Sequence, residues 1–89
     1  VTDNPARSRF ELELDGATAF IDYQRAGQVF VLTHAEVPPA LRGRGLGAEL
    51  SAGALALVRA QGGKVQARCP FVAQYIASHA QYQDLLAKP

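Results

Sequence analysis

The chain is poor in cross-linking chemistry: its 89 residues include one cysteine, Cys69, and two histidines. A single cysteine forms no internal disulfide and supplies no cysteine-rich zinc site, so a disulfide scaffold and a metal-stapled mini-domain are both excluded and a reducing compartment fits. Charge of one sign is also missing. Nine Lys+Arg stand against eight Asp+Glu, a net charge of +1 with no long block of either, whereas a general nucleic-acid binder presents a basic patch. No stretch approaches the ~18 apolar residues of a membrane span, and Val1–Arg7 has no apolar signal-like core. The expectation is a soluble cytoplasmic protein without nucleic-acid or membrane partners. Large apolar side chains are scarce as well: 16 of the 43 apolar residues are alanine, leaving 10 Leu, 7 Val, 2 Ile, 4 Phe and 3 Tyr for a core. Such a chain makes at most one small domain and buries only ~60–65% of the surface its unfolded form exposes, so a ligand or a second copy in a homodimer is a natural stabiliser.

What is present reads in order. Residues 1–8 are polar and are expected as a flexible lead-in to one domain over 9–89. Phe10, Leu12 and Leu14 alternate with Glu11 and Glu13 at strand period, and Asp15-Gly16 signals a hairpin into a second strand over Ala17–Gln24. After a turn at Ala26-Gly27, Gln28–Val37 forms the most apolar strand. Its run Val29-Phe30-Val31-Leu32 predicts cover on both faces and a central place in the sheet. Pro38-Pro39 stops it. Leu46, Leu50, Ala54, Leu57 and Val58 then keep helical spacing up to Gly62-Gly63, and Gly53 within it marks either close helix–sheet packing or a simply tolerated glycine. Lys64–Arg68 is a short strand, and Pro70 opens a second helix carrying Phe71, Val72, Tyr75, Ile76 and His79. The order β-β-β-α-β-α predicts an α+β fold, mostly antiparallel, with a parallel join between the third and fourth strands.

The segment Arg42-Gly43-Arg44-Gly45-Leu46-Gly47 lies between the apolar strand and the first helix, where unpaired N–H groups and a partial positive charge favour an anion. Glycines let backbone approach a phosphate, and Arg42 and Arg44 add charge-assisted donors. The spacing is neither GxxxxGK[ST] nor GxGxxG, which disfavours mononucleotide and NAD binding. It does fit [QR]-x-x-G-x-[GA] through Arg42, Gly45 and Gly47. Together with His34-Ala35-Glu36-Val37-Pro38-Pro39, Cys69-Pro70-Phe71-Val72 and the stretch from Tyr75-Ile76 through His79 to Tyr82, this resembles the compact GNAT-like family related to N-acetyltransferase domain-containing protein 1, over roughly residues 9 to 87.

The resemblance implies a shortened GNAT fold that lacks the helices preceding the second strand of a full-length enzyme. It also implies acetyl-CoA as the cofactor-like substrate. The backbone of Leu41, Arg42, Gly43, Arg44, Gly45, Leu46 and Gly47 would cradle the pyrophosphate, and Glu36 and Val37 would offer main-chain groups to the pantetheine arm where the third and fourth strands splay. Ala80 departs from the proline common among relatives.

Four residues are candidates for the chemistry. His34 and Glu36 share a strand face and either could deprotonate an amine, though both residue types also serve as plain surface groups. Cys69, at the start of the second helix, could act as nucleophile or acyl carrier or simply fill space. Tyr75 matches a tyrosine that protonates the leaving thiolate in enzymes this chain resembles, or else is core. His79 reads as structural, and no metal spacing is formed. The function expected is acyl-CoA-dependent N-acetyl transfer to an unidentified amine, with a non-catalytic CoA-binding module or a small interaction domain as the alternatives.

Overall fold

A computed structural model describes residues 1–87; residues 88 and 89 of the expected domain lie outside them. Five strands form one sheet in the order β1 (Thr2–Asn4), β2 (Arg9–Leu14), β3 (Ala17–Ala26), β4 (Val29–Glu36) and β5 (Lys64–Ala67). Neighbours from β1 to β4 are antiparallel, and β5 runs parallel to β4. Helix α1 (Leu46–Ala60) makes the crossover between them, and α2 (Pro70–Ser78) follows β5. The α+β order anticipated from the pattern is the one observed, as a small, mostly antiparallel sheet with its parallel join where expected. The β2–β3 hairpin turns on Asp15 and Gly16, both at positive φ (53° and 77°), the backbone that an Asp-Gly pair adopts most readily.

Both helices cover the same face. Phe10, Ile21, Phe30, Leu32 and Val65 from the strands meet Leu50, Leu55, Val58, Val72 and Ile76 from the helices in one buried cluster. Tyr23 packs its ring 4.9 Å from Phe10 and 5.1 Å from Phe30. The other face carries no helix among the described residues, which corrects one expectation: β4 lies between β3 and β5 but is covered on one side alone. Phe30 and Leu32 are buried and Val29 and Val31 only half-buried, with Val31 set between Gln24 and Gln66 in the register. An uninterrupted apolar run therefore overstates burial here.

The polar start of the chain is a second correction, since Thr2–Asn4 is not a loose lead-in but pairs with Arg9–Glu11. Backbone pairing asks nothing of side-chain polarity, and two contacts fasten it. The buried Tyr23 hydroxyl donates to Asp3 Oδ1 at 2.7 Å, and Val1 packs so tightly on Gly53 that a Cβ there would overlap it. Gly53 thus marks close helix–sheet packing, with Val1 as the partner. A single 3-10 turn, Pro5–Arg7, joins β1 to β2, and no α-helix intervenes. After α2, a 3-10 helix (Ala80–Leu85) brings Leu86 alongside Val65. No helix among the described residues is long and apolar enough to cross a membrane.

Candidate functional site

The β3–β4 register slips between Asp22 and Tyr23: Tyr23 faces Leu32 while Asp22 faces His34, leaving Thr33 as an extra residue. The bulge re-aims the residues beyond it. With strict alternation His34 and Glu36 would join Phe30 and Leu32 in the core; instead they emerge together on the open face, opposite Asp22 and Phe20, and both are exposed. Ala35 takes the core side opposite Ile21.

On its other edge β4 is paired to β5 only as far as Leu32 with Ala67. There the Arg68 and Cys69 N–H groups both donate to the Leu32 carbonyl, at 2.9 and 3.0 Å, and the chain turns away into α2. Pairing to β3 continues to Glu36, so Thr33–Glu36 has one edge without a neighbouring strand. The two strands splay, and a cleft of about 620 Å³ opens between the end of β4, the loop before α1 and the start of α2. That volume lies within the ~300–1,000 Å³ usual for small-molecule sites.

The loop is built for backbone exposure. Pro38 and Pro39 end β4, a 3-10 turn (Pro39–Leu41) buries Leu41, and the chain reaches α1 through Gly43 at φ 82° and Gly45 at φ 72°. Left-handed backbone is easy for glycine and costs other residues roughly 1–2 kcal/mol. Gly45 caps α1 without a side-chain hydrogen bond, so the first turn keeps N–H groups free of a capping side chain. Ser51, fully buried one turn on, satisfies itself by donating to the Gly47 carbonyl at 2.9 Å. Arg42 Nε donates to the Val37 carbonyl at 3.1 Å, which ties the loop to the strand end. Gly47 has ordinary helical backbone, but a Cβ on it would lie 2.6 Å from Phe71 Cζ.

Of the residues singled out from sequence, His34, Glu36, Val37, Leu41, Arg42, Gly43, Gly45, Leu46 and Gly47 all line the cleft. Arg44 does not: its guanidinium reaches Asp15 Oδ2 at 2.9 Å across the hairpin tip, in an exposed pair. Cys69 is 5% exposed, caps α2 without a side-chain hydrogen bond, and is absent from the cleft wall. Tyr75 also lies off the wall. Its ring stacks on His79 at 4.0 Å and sits 5.8 Å from Tyr82, and burial, then Tyr82 nearby, push its hydroxyl pKa up. His79 Nδ1 is 2.8 Å from the Tyr75 carbonyl, which only accepts, so that nitrogen carries the proton. Sequence reasoning misses Phe71 as a site residue; it lines the cleft with 51% of its surface exposed. The available signal is a large apolar residue beside a helix-opening proline, which helical spacing alone assigns to a core face. No group of three or more His, Cys, Asp or Glu residues suited to a metal ion occurs among the described residues.

The glycines at positive φ, the uncapped first turn of α1 and the cleft beyond them suit a ligand with a phosphate head and an extended tail. A family model described as GCN5-related N-acetyl-transferase matches residues 9–85 of the chain. No curated protein matches it.

Proposed function

The chain belongs to the GCN5-related N-acetyltransferase family, which transfers acetyl groups from acetyl-CoA, and from that premise we propose that it binds acyl-CoA in the cleft and acetylates an amine. The observation that carries this reading is the continuity of one cleft from the glycine loop at the start of α1, along the unpaired edge of β4, to His34 and Glu36. The finer likeness, to the compact group related to N-acetyltransferase domain-containing protein 1, rests on the His34–Pro39 and Cys69–Val72 runs.

In this reading the backbone of residues 41–47 holds the pyrophosphate, with Arg42 adding charge, and main-chain groups at Glu36 and Val37 on the edge of β4 without a neighbouring strand receive the pantetheine arm, beside the Val37 carbonyl that Arg42 holds. Acetyl-CoA supplies the thioester carbonyl. The amine nitrogen bonds to that carbon as the C–S bond breaks, the nitrogen's proton passes to His34 or Glu36, and the CoA thiolate leaves and takes up a proton from solvent. Their exposure on the open face leaves room for an acceptor to approach, and a main-chain N–H of β4 can stabilise the carbonyl oxygen. Cys69, 5% exposed and off the cleft wall, is given no part in this reading, and its burial favours the space-filling role. Tyr75 as donor to the thiolate would require leaving its place against His79.

One observation favours a second reading, a CoA-binding module without chemistry of its own: β1 and β2 are joined by a short link around the 3-10 turn Pro5–Arg7, so among the described residues no helix walls the acceptor side. A partner or a second copy would then complete that wall. Incubating the protein with acetyl-CoA and candidate amines while following thiol release, beside calorimetric titration of CoA, separates the two. Binding with amine-dependent turnover supports the enzyme, binding alone the module, and absence of both rejects the CoA reading.

A further inference from the structure

Phe71 is the most exposed large apolar side chain among the described residues, and it stands in the wall of the cleft. One side of its ring is fixed by α1: Gly47 comes so close that an added Cβ would lie 2.6 Å from Cζ and 3.2 Å from Cε1. No positive φ requires glycine at position 47, unlike Gly43 and Gly45. The third glycine of the loop is there to seat the ring. A half-exposed phenyl in a concave site is a surface awaiting an apolar ligand group. Gly47 is the second residue of α1, within the turn where phosphate would be held. The ligand group covering Phe71 must therefore be apolar and lie directly beside the phosphate.

Resting on the CoA reading, we propose that the exposed side of Phe71, seated on Gly47, is the contact for the branched gem-dimethyl unit that follows the pyrophosphate of CoA. Phe71 thereby makes the cleft selective for pantetheine-bearing nucleotides over bare adenine nucleotides. The carbon skeleton at that point of CoA is quaternary and apolar, and it is the first apolar group after the phosphates. Phe71 fits it in position and chemistry.

Calorimetric titration of CoA and of 3′-phospho-ADP, the half of CoA without pantetheine, tests the assignment on wild type, F71A, F71L, G47A and G47A/F71A. Loss of about half a phenyl's apolar contact is expected to weaken CoA binding by F71A roughly 5–10-fold, leave 3′-phospho-ADP unchanged, and be largely restored in F71L. G47A should weaken CoA binding by driving the ring into the cleft, and the double variant should bind no worse than F71A. Equal weakening for both ligands, no effect of F71A, or additive losses in the double variant overturns the assignment. Wild type that binds 3′-phospho-ADP but gains nothing from pantetheine overturns this inference alone; wild type that binds neither ligand overturns the CoA reading with it. Thermal melts identify any variant that fails to fold, for which F71L supplies the deciding comparison.

Discussion

Replacing Gly45 by alanine separates the backbone requirement of the loop from its binding role. Gly45 sits at φ 72° with open space around the position a Cβ would take, so the whole penalty is backbone strain. For alanine in the left-handed region this is roughly 1–2 kcal/mol, offset in part by the ~0.4–1 kcal/mol gained by stiffening the unfolded chain. A net loss of about 1 kcal/mol corresponds to a melting temperature lower by roughly 4–8 °C for a domain this small. Gly16 supplies the control, because it has φ 77° and equally open surroundings but lies at the β2–β3 turn. G16A and G45A should melt alike, by calorimetry or circular dichroism, while only G45A loses affinity for CoA, since strain there shifts the N–H groups that open α1. Equal CoA affinity in the two variants refutes the assignment of the loop as a phosphate cradle, and undiminished stability in both refutes the strain argument.

Other outcomes rest on side-chain contacts. The Tyr23 hydroxyl is pushed up to about 12 by burial, then by its bond to Asp3. The folded form therefore holds its proton while the unfolded form loses it above ~10. This contribution is complete below pH 10 and drains away between pH 10 and 12, a slope that Y23F should flatten in alkaline melts at a cost of about 1 kcal/mol at neutral pH; an unchanged slope would contradict it. Arg59 holds Asp84 below the usual carboxylate range, so the hold of this pair on the C-terminal 3-10 helix is present at neutral pH and is lost as acid titrates Asp84. D84N should speed hydrogen exchange at the Ala87 amide, which donates to the Val65 carbonyl at 2.8 Å, and equal exchange rates would show that the pair does not secure the tail. Cys69, 5% exposed, should resist iodoacetamide in the folded protein with or without CoA and react at the rate of unfolding; fast labelling of the native state would return it to the candidate nucleophiles.

Much of the fold is legible in the residues. Alternation in 10–14, the Asp15-Gly16 pair, the helical spacing of 46–58 and Pro70 at a helix start each state a local preference that tertiary packing does not override. The features that escape are set by contacts between distant segments. Thr2–Asn4 becomes a strand through backbone pairing and the Tyr23–Asp3 bond, neither of which has an apolar signature. The Thr33 bulge leaves no mark in a strand of ordinary composition, yet it decides which face His34 and Glu36 occupy. Gly47 looks like one more phosphate-loop glycine until Phe71, 24 positions on, is found against it. Sharing a strand face is legible for His34 and Glu36; the exclusion of Cys69, Tyr75 and Arg44 from the cleft is not, because burial and ion pairing depend on neighbours far along the chain.

The central claim is that the loop before α1 binds CoA by its phosphates, and calorimetric titration of CoA into wild type and R42E, the loop arginine that lines the cleft, tests it most directly. Saturable binding by wild type and none by the charge-reversed protein, with superimposable circular-dichroism spectra, is the result expected. Equal affinity in the two proteins, or no binding by wild type, would contradict it.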